Sequence, residues 1–118
     1  MVEWFGYQGH FCCNCDFHLT TLVSNGTKNI LISTVGRLPN YLGDTRYQQV
    51  GAGRWFETEV YEAKKVNSFW EADVRKNLES KAYGFKDDAS LEEINQFEHD
   101  ADMGHKQLVE KYRNLLGV

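Results

Sequence analysis

The chain has 118 residues, of which 42% are hydrophobic and 14% aromatic, so it supports one hydrophobic core and is not intrinsically disordered. The formal net charge of −4 hides an acidic segment at residues 87–102, which holds seven acids and no lysine or arginine, so that the remainder is about +3. A nucleic-acid binder needs a dense basic surface, and this distribution disfavours direct nucleic-acid binding.

The first residues predict that the chain is not exported. Glu3 stands where a signal peptide carries a positive charge, and no apolar block follows it. No stretch approaches the roughly 18 to 20 consecutive apolar residues of a membrane helix. We therefore expect a single domain over residues 1–118, located in the cytoplasm and without a membrane span.

Residues 10–18 concentrate three thiols and two imidazoles, which exceeds the four ligands that a tetrahedral zinc ion requires. Structural zinc sites usually add ligands from a distant segment, and the only distant histidines here are His99 and His105. Cysteines on a strand that enters the core also behave as small apolar residues. The sequence thus leaves open a zinc site or buried thiols, and it indicates no other cofactor. The candidate zinc ligands are Cys12, Cys13, Cys15 and His18.

The next segments predict a β-hairpin over residues 17–35. Residues 17–24 and 27–35 are rich in strand-forming side chains, and Asn25-Gly26 between them is a strong signal for a two-residue turn. Such a turn pairs Thr21 with Ile30. The alternation places two apolar sets on opposite faces, with Val23, Ile30 and Ile32 on one and Leu22, Leu31 and Val35 on the other.

Residues 54–63 alternate between apolar and polar side chains and predict a third main strand. The glycines of residues 51–53 precede an arginine and a Glu-x-Glu pair, an arrangement that can hold an anionic or nucleotide ligand. The alternative is that the glutamates form a solvent-facing row and the glycines only turn the chain. The candidate ligand-binding residues are Ser33, Thr34, Arg54 and Glu57.

Beyond residue 65 the spacing favours two helices. Ser68 with Glu71, and Ser90 with Glu93, match the capping box that opens a helix. We expect helices at about 69–83 and 91–116. The first apolar stripe consists of Trp70, Val74, Leu78 and Ala82; the second consists of Leu91, Ile94, Phe97, Ala101, Leu108, Tyr112 and Leu115, with Gly104 as a point of kinking or division. The fold class is α+β, an antiparallel sheet packed with two C-terminal helices.

The acidic helix start is a candidate partner-binding surface. A negatively charged helical face can imitate a row of phosphates to a basic groove of another protein and steer its association. Favourable charge near the positive end of the helix dipole is the competing explanation. The residues proposed for the surface are Glu92, Glu93, Glu98, Asp100 and Asp102.

Three motifs of this chain resemble a pattern of small proteins that are encoded by bacteriophages and prophages. They are Cys15-x-Phe17-x-Leu19, Ile32-Ser33-Thr34-Val35-Gly36 and Gly51-x-Gly53-Arg54-x-Phe56-Glu57-Thr58. The resemblance covers residues 10–62 and leaves out the helical tail. Because the family has no established activity, the resemblance implies a context and no mechanism.

This context and the acidic surface favour a phage-type accessory protein that binds a host protein and inhibits a defence or nucleic-acid-processing system. No common catalytic motif is present, and we assign no catalytic residue. The alternatives are a small enzyme or nucleotide-binding domain centred on Arg54, Glu57 and Ser33-Thr34, or a zinc-stabilised module. The sequence does not indicate an oligomeric state.

Overall fold

The computed structural model describes residues 1–5, 14–40 and 46–118, with the side chains of Trp4 and Phe5 excepted. Within these ranges the chain forms seven strands and one helix. Their bounds are β1 Val2–Phe5, β2 Phe17–Ser24, β3 Asn29–Gly36, β4 Leu38–Pro39, β5 Tyr47–Gln48, β6 Arg54–Val66, β7 Phe69–Phe85 and α1 Leu91–Leu116. The α+β class is confirmed, but with one C-terminal helix in place of two.

The main sheet is antiparallel throughout, with strand order β1-β2-β3-β6-β7, and β4 pairs with β5 beside it. Helix α1 lies across one face and contacts β2, β3, β6 and β7. Two apolar clusters hold it there, because each end of the helix buries a separate set of side chains. One contains Val23, Ile30, Ile32, Val60, Leu108, Val109 and Tyr112, and the other contains Tyr47, Trp55, Phe56, Ile94 and Ala101.

The predicted hairpin is confirmed, but its register differs by two residues. Thr21 pairs with Ile32, and the strands are joined by the four residues 25–28, since Ser24 pairs with Asn29. The side chain of Asn25 accepts the backbone N–H groups of the two residues that close this loop, at 2.9 and 2.7 Å. A shift of two residues preserves the side-chain alternation, so the predicted division of the apolar residues between the two faces survives.

The predicted helix at 69–83 is wrong, because this segment is the long edge strand β7. The backbone reverses at Asn67 and Ser68, whose φ angles are 49° and 74°, and Val66 then pairs directly with Phe69. Two successive residues with positive φ match the type I′ turn that joins strands with the right-handed twist. The predicted third strand is confirmed and continues from residue 63 to Val66 to complete this hairpin.

The helix predicted at 91–116 has the predicted bounds. Ser90 accepts the backbone N–H of Glu93, and Glu93 accepts that of Ser90, so the predicted capping box is formed. Gly104 does not divide the helix. It instead lets the helix approach β7, because a Cβ at this position would lie 1.8 Å from the hydroxyl oxygen of Tyr83.

Within the described part of the chain, no helix combines the length and the apolar character that crossing a bilayer requires.

Candidate functional site

Polar side chains from four elements converge under the middle of α1, around the fully buried His105. Its Nε2 lies 2.8 Å from the hydroxyl of Thr21 on β2, and its Nδ1 lies 2.7 Å from that of Thr34 on β3. The hydroxyl of Thr34 lies 2.7 Å from that of Thr58 on β6. The helix is therefore tied to three adjacent strands through one imidazole ring.

His105 is neutral in this environment. Burial lowers its pKa to about 4, and the nearby charges of Asp102 and Lys106 act on it in opposite directions. A neutral imidazole has one N–H donor and one acceptor nitrogen, so one threonine hydroxyl donates to the ring and the other accepts from it. Because all four side chains are buried, the network is a structural connection and offers no open surface to a ligand.

The four candidate ligand-binding residues do not converge on one pocket. Thr34 lies on the helix side and belongs to the His105 network, whereas Ser33 alternates to the other face and is also fully buried. Arg54 and Glu57 do lie together, with Nε of the arginine 2.9 Å from a carboxylate oxygen of the glutamate. The structure thus brings together two members of the set and separates the other two.

The second glutamate of the Glu-x-Glu pair is also held by its own chain. Glu59 pairs with Ser33 across the sheet, and its carboxylate accepts hydrogen bonds from the amide of Asn77, at 2.8 Å, and from the hydroxyl of Ser80. Burial raises the pKa of the nearby Tyr61, and the negative charges of Glu59 and Glu57 add to this effect. These glutamates are half-buried members of the sheet, with partners of their own.

The zinc hypothesis falls partly outside the described residues, since Cys12 and Cys13 are not among them. Cys15 is described and buried, and His18 on β2 lies 3.4 Å from the hydroxyl of Thr20. Within ranges 1–5, 14–40 and 46–118, no group of three histidine, cysteine or acidic side chains has the geometry for a metal ion.

The five acids proposed for partner binding all lie on α1 but differ in their surroundings. Glu93 binds Lys86, Glu98 binds Arg37 and Asp102 binds Lys106, so these three serve the fold. Asp100 is exposed and accepts a hydrogen bond from the side chain of Gln96, which is four residues earlier. Glu92 is exposed as well. Glu92 and Asp100 are therefore the acids of this set that face outward.

Two surface features were not found from the sequence. Beyond Glu62, the last β6 residue paired with β3, strands β6 and β7 pair only with each other and form a projecting arm, residues 63–72. At the other end of these strands, a cleft of about 610 Å³ opens between Trp55 and the acids Asp87 and Asp88. The sequence predicted a helix at about 69–83, which includes Phe69, so the arm was not predicted.

The buried network was missed too, although the sequence contains a signal for it. His105 falls between Ala101 and Leu108 on the apolar stripe, at helical spacings of four and three residues, and a polar residue in such a stripe requires buried partners. Thr21, Thr34 and Thr58 occupy matching inward positions on the strands. Their meeting depends on strand pairing that the sequence does not specify.

Comparisons of the chain with protein-family models, with curated proteins and with solved structures gave no match. What can be concluded about function therefore depends on the geometry and the charges of the chain.

Proposed function

We propose that this chain is a small binding protein that engages another protein through the outward acidic face of α1. Following the resemblance to phage-encoded proteins, the partner is a host protein of a bacterium. Because the face is acidic, the partner should bind it with a basic groove, of the kind that otherwise accepts nucleic-acid phosphates. Occupying such a groove would inhibit a defence or nucleic-acid-processing system.

The observation that supports this proposal is the charge of the first half of α1 and the residues before it. Residues 87–102 contain seven acids and no lysine or arginine, while the sheet-facing side of the same helix is apolar apart from the buried His105. Asp87 and Asp88 line a cleft, and Glu93, Glu98 and Asp102 bind cations of the chain, so the outward charge is that of Glu92 and Asp100. The field of these two charges reaches about 8 to 10 Å at physiological salt.

An exposed apolar side chain borders the two outward acids on the same helix. Met103 is 45% exposed and follows Asp100 by three positions and Glu92 by eleven, spacings that place the three side chains on one side of the helix. Interfaces commonly combine apolar contacts, which contribute affinity, with charges that set the orientation and the association rate. The surface formed by Glu92, Asp100 and Met103 has both kinds of group.

The interior supports the same proposal. The polar side chains around His105 are buried and serve to hold the helix on the sheet. The ion pair of Arg54 and Glu57 lies at one corner of the sheet, apart from them. This arrangement suits a rigid scaffold that presents a surface.

The test compares the double variant Glu92→Gln/Asp100→Asn with the wild type. Both chains are immobilised, proteins are captured from a bacterial lysate, and the partner's affinity is measured at several salt concentrations. We expect the variant to bind at least tenfold more weakly and with a smaller salt dependence, because it lacks two outward charges. Glu3→Gln/Asp16→Asn is the matched control, since it makes the same two substitutions at exposed acids outside the helix.

Equal affinity and equal salt dependence of the double variant would refute the acidic-face proposal. Glu93, Glu98 and Asp102 are left unchanged in this experiment because they bind Lys86, Arg37 and Lys106 within the chain. Their substitution would mix a loss of binding with a loss of stability.

A further inference from the structure

The arm, residues 63–72, carries apolar surface that the chain itself does not cover. Phe69, directly after the turn, is 66% exposed, and its cross-strand neighbour Val66 is 36% exposed. An isolated two-stranded ribbon is at best marginally stable in water. Apolar side chains that stay exposed on it do not stabilise the folded monomer. Such a ribbon is typical of a segment that packs against a second surface.

The arm carries two exposed lysines, Lys64 and Lys65, and one exposed acid, Glu71, which is the cross-strand neighbour of Lys64. No acid in the described ranges lies within ion-pair distance of either ammonium group, and two lysines with one glutamate leave the arm a net charge of +1. The ammonium group of Lys65 lies 5.6 Å from the ring centre of Trp70, which keeps this charge on the ribbon beside the apolar residues. A surface that receives the arm should therefore combine apolar walls with carboxylates.

The cleft at the opposite end of β6 has this composition. Its lining includes the apolar Ala52 and Ala89, parts of the largely buried Trp55 and Tyr47, and the carboxylates of Asp87 and Asp88, and no lysine or arginine lines the described part of it. Both carboxylates are exposed, and no cation in the described ranges forms an ion pair with either of them. The cleft has a volume of about 610 Å³ and is open to solvent, so side chains of another chain can enter it.

The wall of the cleft is held in place before anything binds. The indole N–H of Trp55 donates to the carbonyl of Lys86 at 2.8 Å. The side-chain amide of Gln49 donates to the carbonyls of Lys86 and Asp87, at 3.0 and 2.9 Å. These three bonds fix the backbone from which Asp87 and Asp88 project, so little ordering remains to be done on binding.

We propose that the occupant of this cleft is the arm of a second copy of the chain. Trp55 and Val66 are eleven positions apart on β6, which spans roughly 36 Å at about 3.3 Å per residue, so the arm does not reach the cleft of its own chain. The greatest dimension of the molecule is 47 Å. Two copies lying antiparallel bring each arm to the other's cleft, and the twofold symmetry closes the assembly as a dimer.

The contact joins Phe69 to the apolar part of the cleft at Ala52 and Ala89, and Lys64 and Lys65 to Asp87 and Asp88. It goes beyond the proposed function, because it uses neither Glu92 nor Asp100. The two proposals therefore fail separately: variants of the arm or the cleft change the oligomeric state, whereas variants of the acidic face change only the capture of a different protein.

A charge-swap experiment tests the dimer by sedimentation velocity over a wide range of chain concentration. The wild type is expected to sediment as a dimer that dissociates as salt is raised, since the four ion pairs are exposed to screening. Lys64→Glu/Lys65→Glu and Asp87→Lys/Asp88→Lys are each expected to be monomeric, because arm and cleft then carry the same sign. An equimolar mixture of the two variants is expected to restore the dimer, as both contacts again join opposite charges.

Lys28→Glu/Lys81→Glu is the matched control, because it makes the same change of net charge at exposed lysines outside the arm and the cleft. It should remain dimeric. Phe69→Ser should weaken the dimer at least tenfold with an unchanged circular dichroism spectrum, so the proposal stays testable if a charge variant fails to fold. A wild type that is monomeric at every concentration, or a mixture that stays monomeric while both variants are folded, would overturn the proposal.

Discussion

The hydroxyl of Thr34, on β3, lies 2.7 Å from Nδ1 of His105, on a helix 71 residues later in the chain. Both side chains are fully buried and cannot hydrogen-bond to water, so each requires the hydrogen bond that the other provides. The bond determines how α1 is placed along and around its axis. Apolar contacts alone tolerate small shifts of a helix, whereas a buried hydrogen bond does not.

The buried imidazole makes stability depend on pH. Its pKa is about 4 in the folded chain and about 6.5 in the unfolded chain, so the stabilisation is present above pH 6.5 and is lost as the pH falls toward 4. We expect this group to reduce the free energy of unfolding by about 2 kcal/mol between pH 7 and pH 5. Urea unfolding at both pH values measures the loss. The loss should be smaller by that amount in His105→Gln, and an equal loss in both proteins would contradict the assignment.

The two threonines nearest to His105 differ in importance. Thr34→Val removes the hydroxyl that links the ring to Thr58, and with it two buried hydrogen bonds, which should cost about 2 to 4 kcal/mol. Thr58→Val leaves the bond to the ring intact and should cost about 1 kcal/mol. Both variants replace a threonine by a valine of nearly the same shape. Chemical denaturation compares their free energies of unfolding. An equal cost would show that the hydroxyls do not act as one chain.

Position 104 requires glycine, because Tyr83 on β7 lies too close for a larger side chain. Glycine to alanine normally stabilises the middle of a helix by about 1 kcal/mol, but here the added Cβ would lie 1.8 Å from the hydroxyl oxygen of Tyr83. We expect Gly104→Ala to destabilise the chain by about 1 to 3 kcal/mol. Thermal unfolding measures the effect. The double variant Gly104→Ala/Tyr83→Leu should recover much of the loss; if it recovers none, the close approach is not the cause.

A substitution of Ser68 tests whether residues 69–83 form a strand or a helix. Its φ of 74° is strained for a residue with a Cβ, so Ser68→Gly should stabilise the hairpin by about 0.5 to 1 kcal/mol. At the N-cap of a helix, the same change would slightly destabilise. Ala72→Gly, in the adjoining strand, is the control and should destabilise by a similar amount. A lower melting temperature for Ser68→Gly would contradict the observed turn.

Several features follow from the sequence because their causes lie within a few residues. The capping box of Ser90 and Glu93 and the apolar stripe after it predict the bounds of α1, and Asn25-Gly26 with its flanking strand-forming residues predicts the β2–β3 hairpin. The side-chain alternation also predicts which residues of this hairpin share a face. This result holds despite the register error, since a shift of two residues restores the same alternation.

The segment 69–83 shows where local signals are insufficient. Ser68 and Glu71 match a capping box, and Trp70, Val74 and Leu78 follow at a helical spacing, yet the segment is a strand. Pairing with β6 satisfies one edge of its backbone, and the other edge faces water, where an edge strand accepts the charged residues that resemble a helix surface. That competition is decided by residues far away in the chain.

The sequence by itself determined the class of the fold, the helix 91–116 and the acidic charge that it presents, because propensity, capping and composition act locally. Only the tertiary structure decided that Ser33 and Thr34 face opposite sides, that His105 joins three strands, and that a basic arm and an acidic cleft lie at opposite ends of one ribbon. These relationships depend on strand pairing and helix docking, whose free energy comes from contacts between residues distant in the chain.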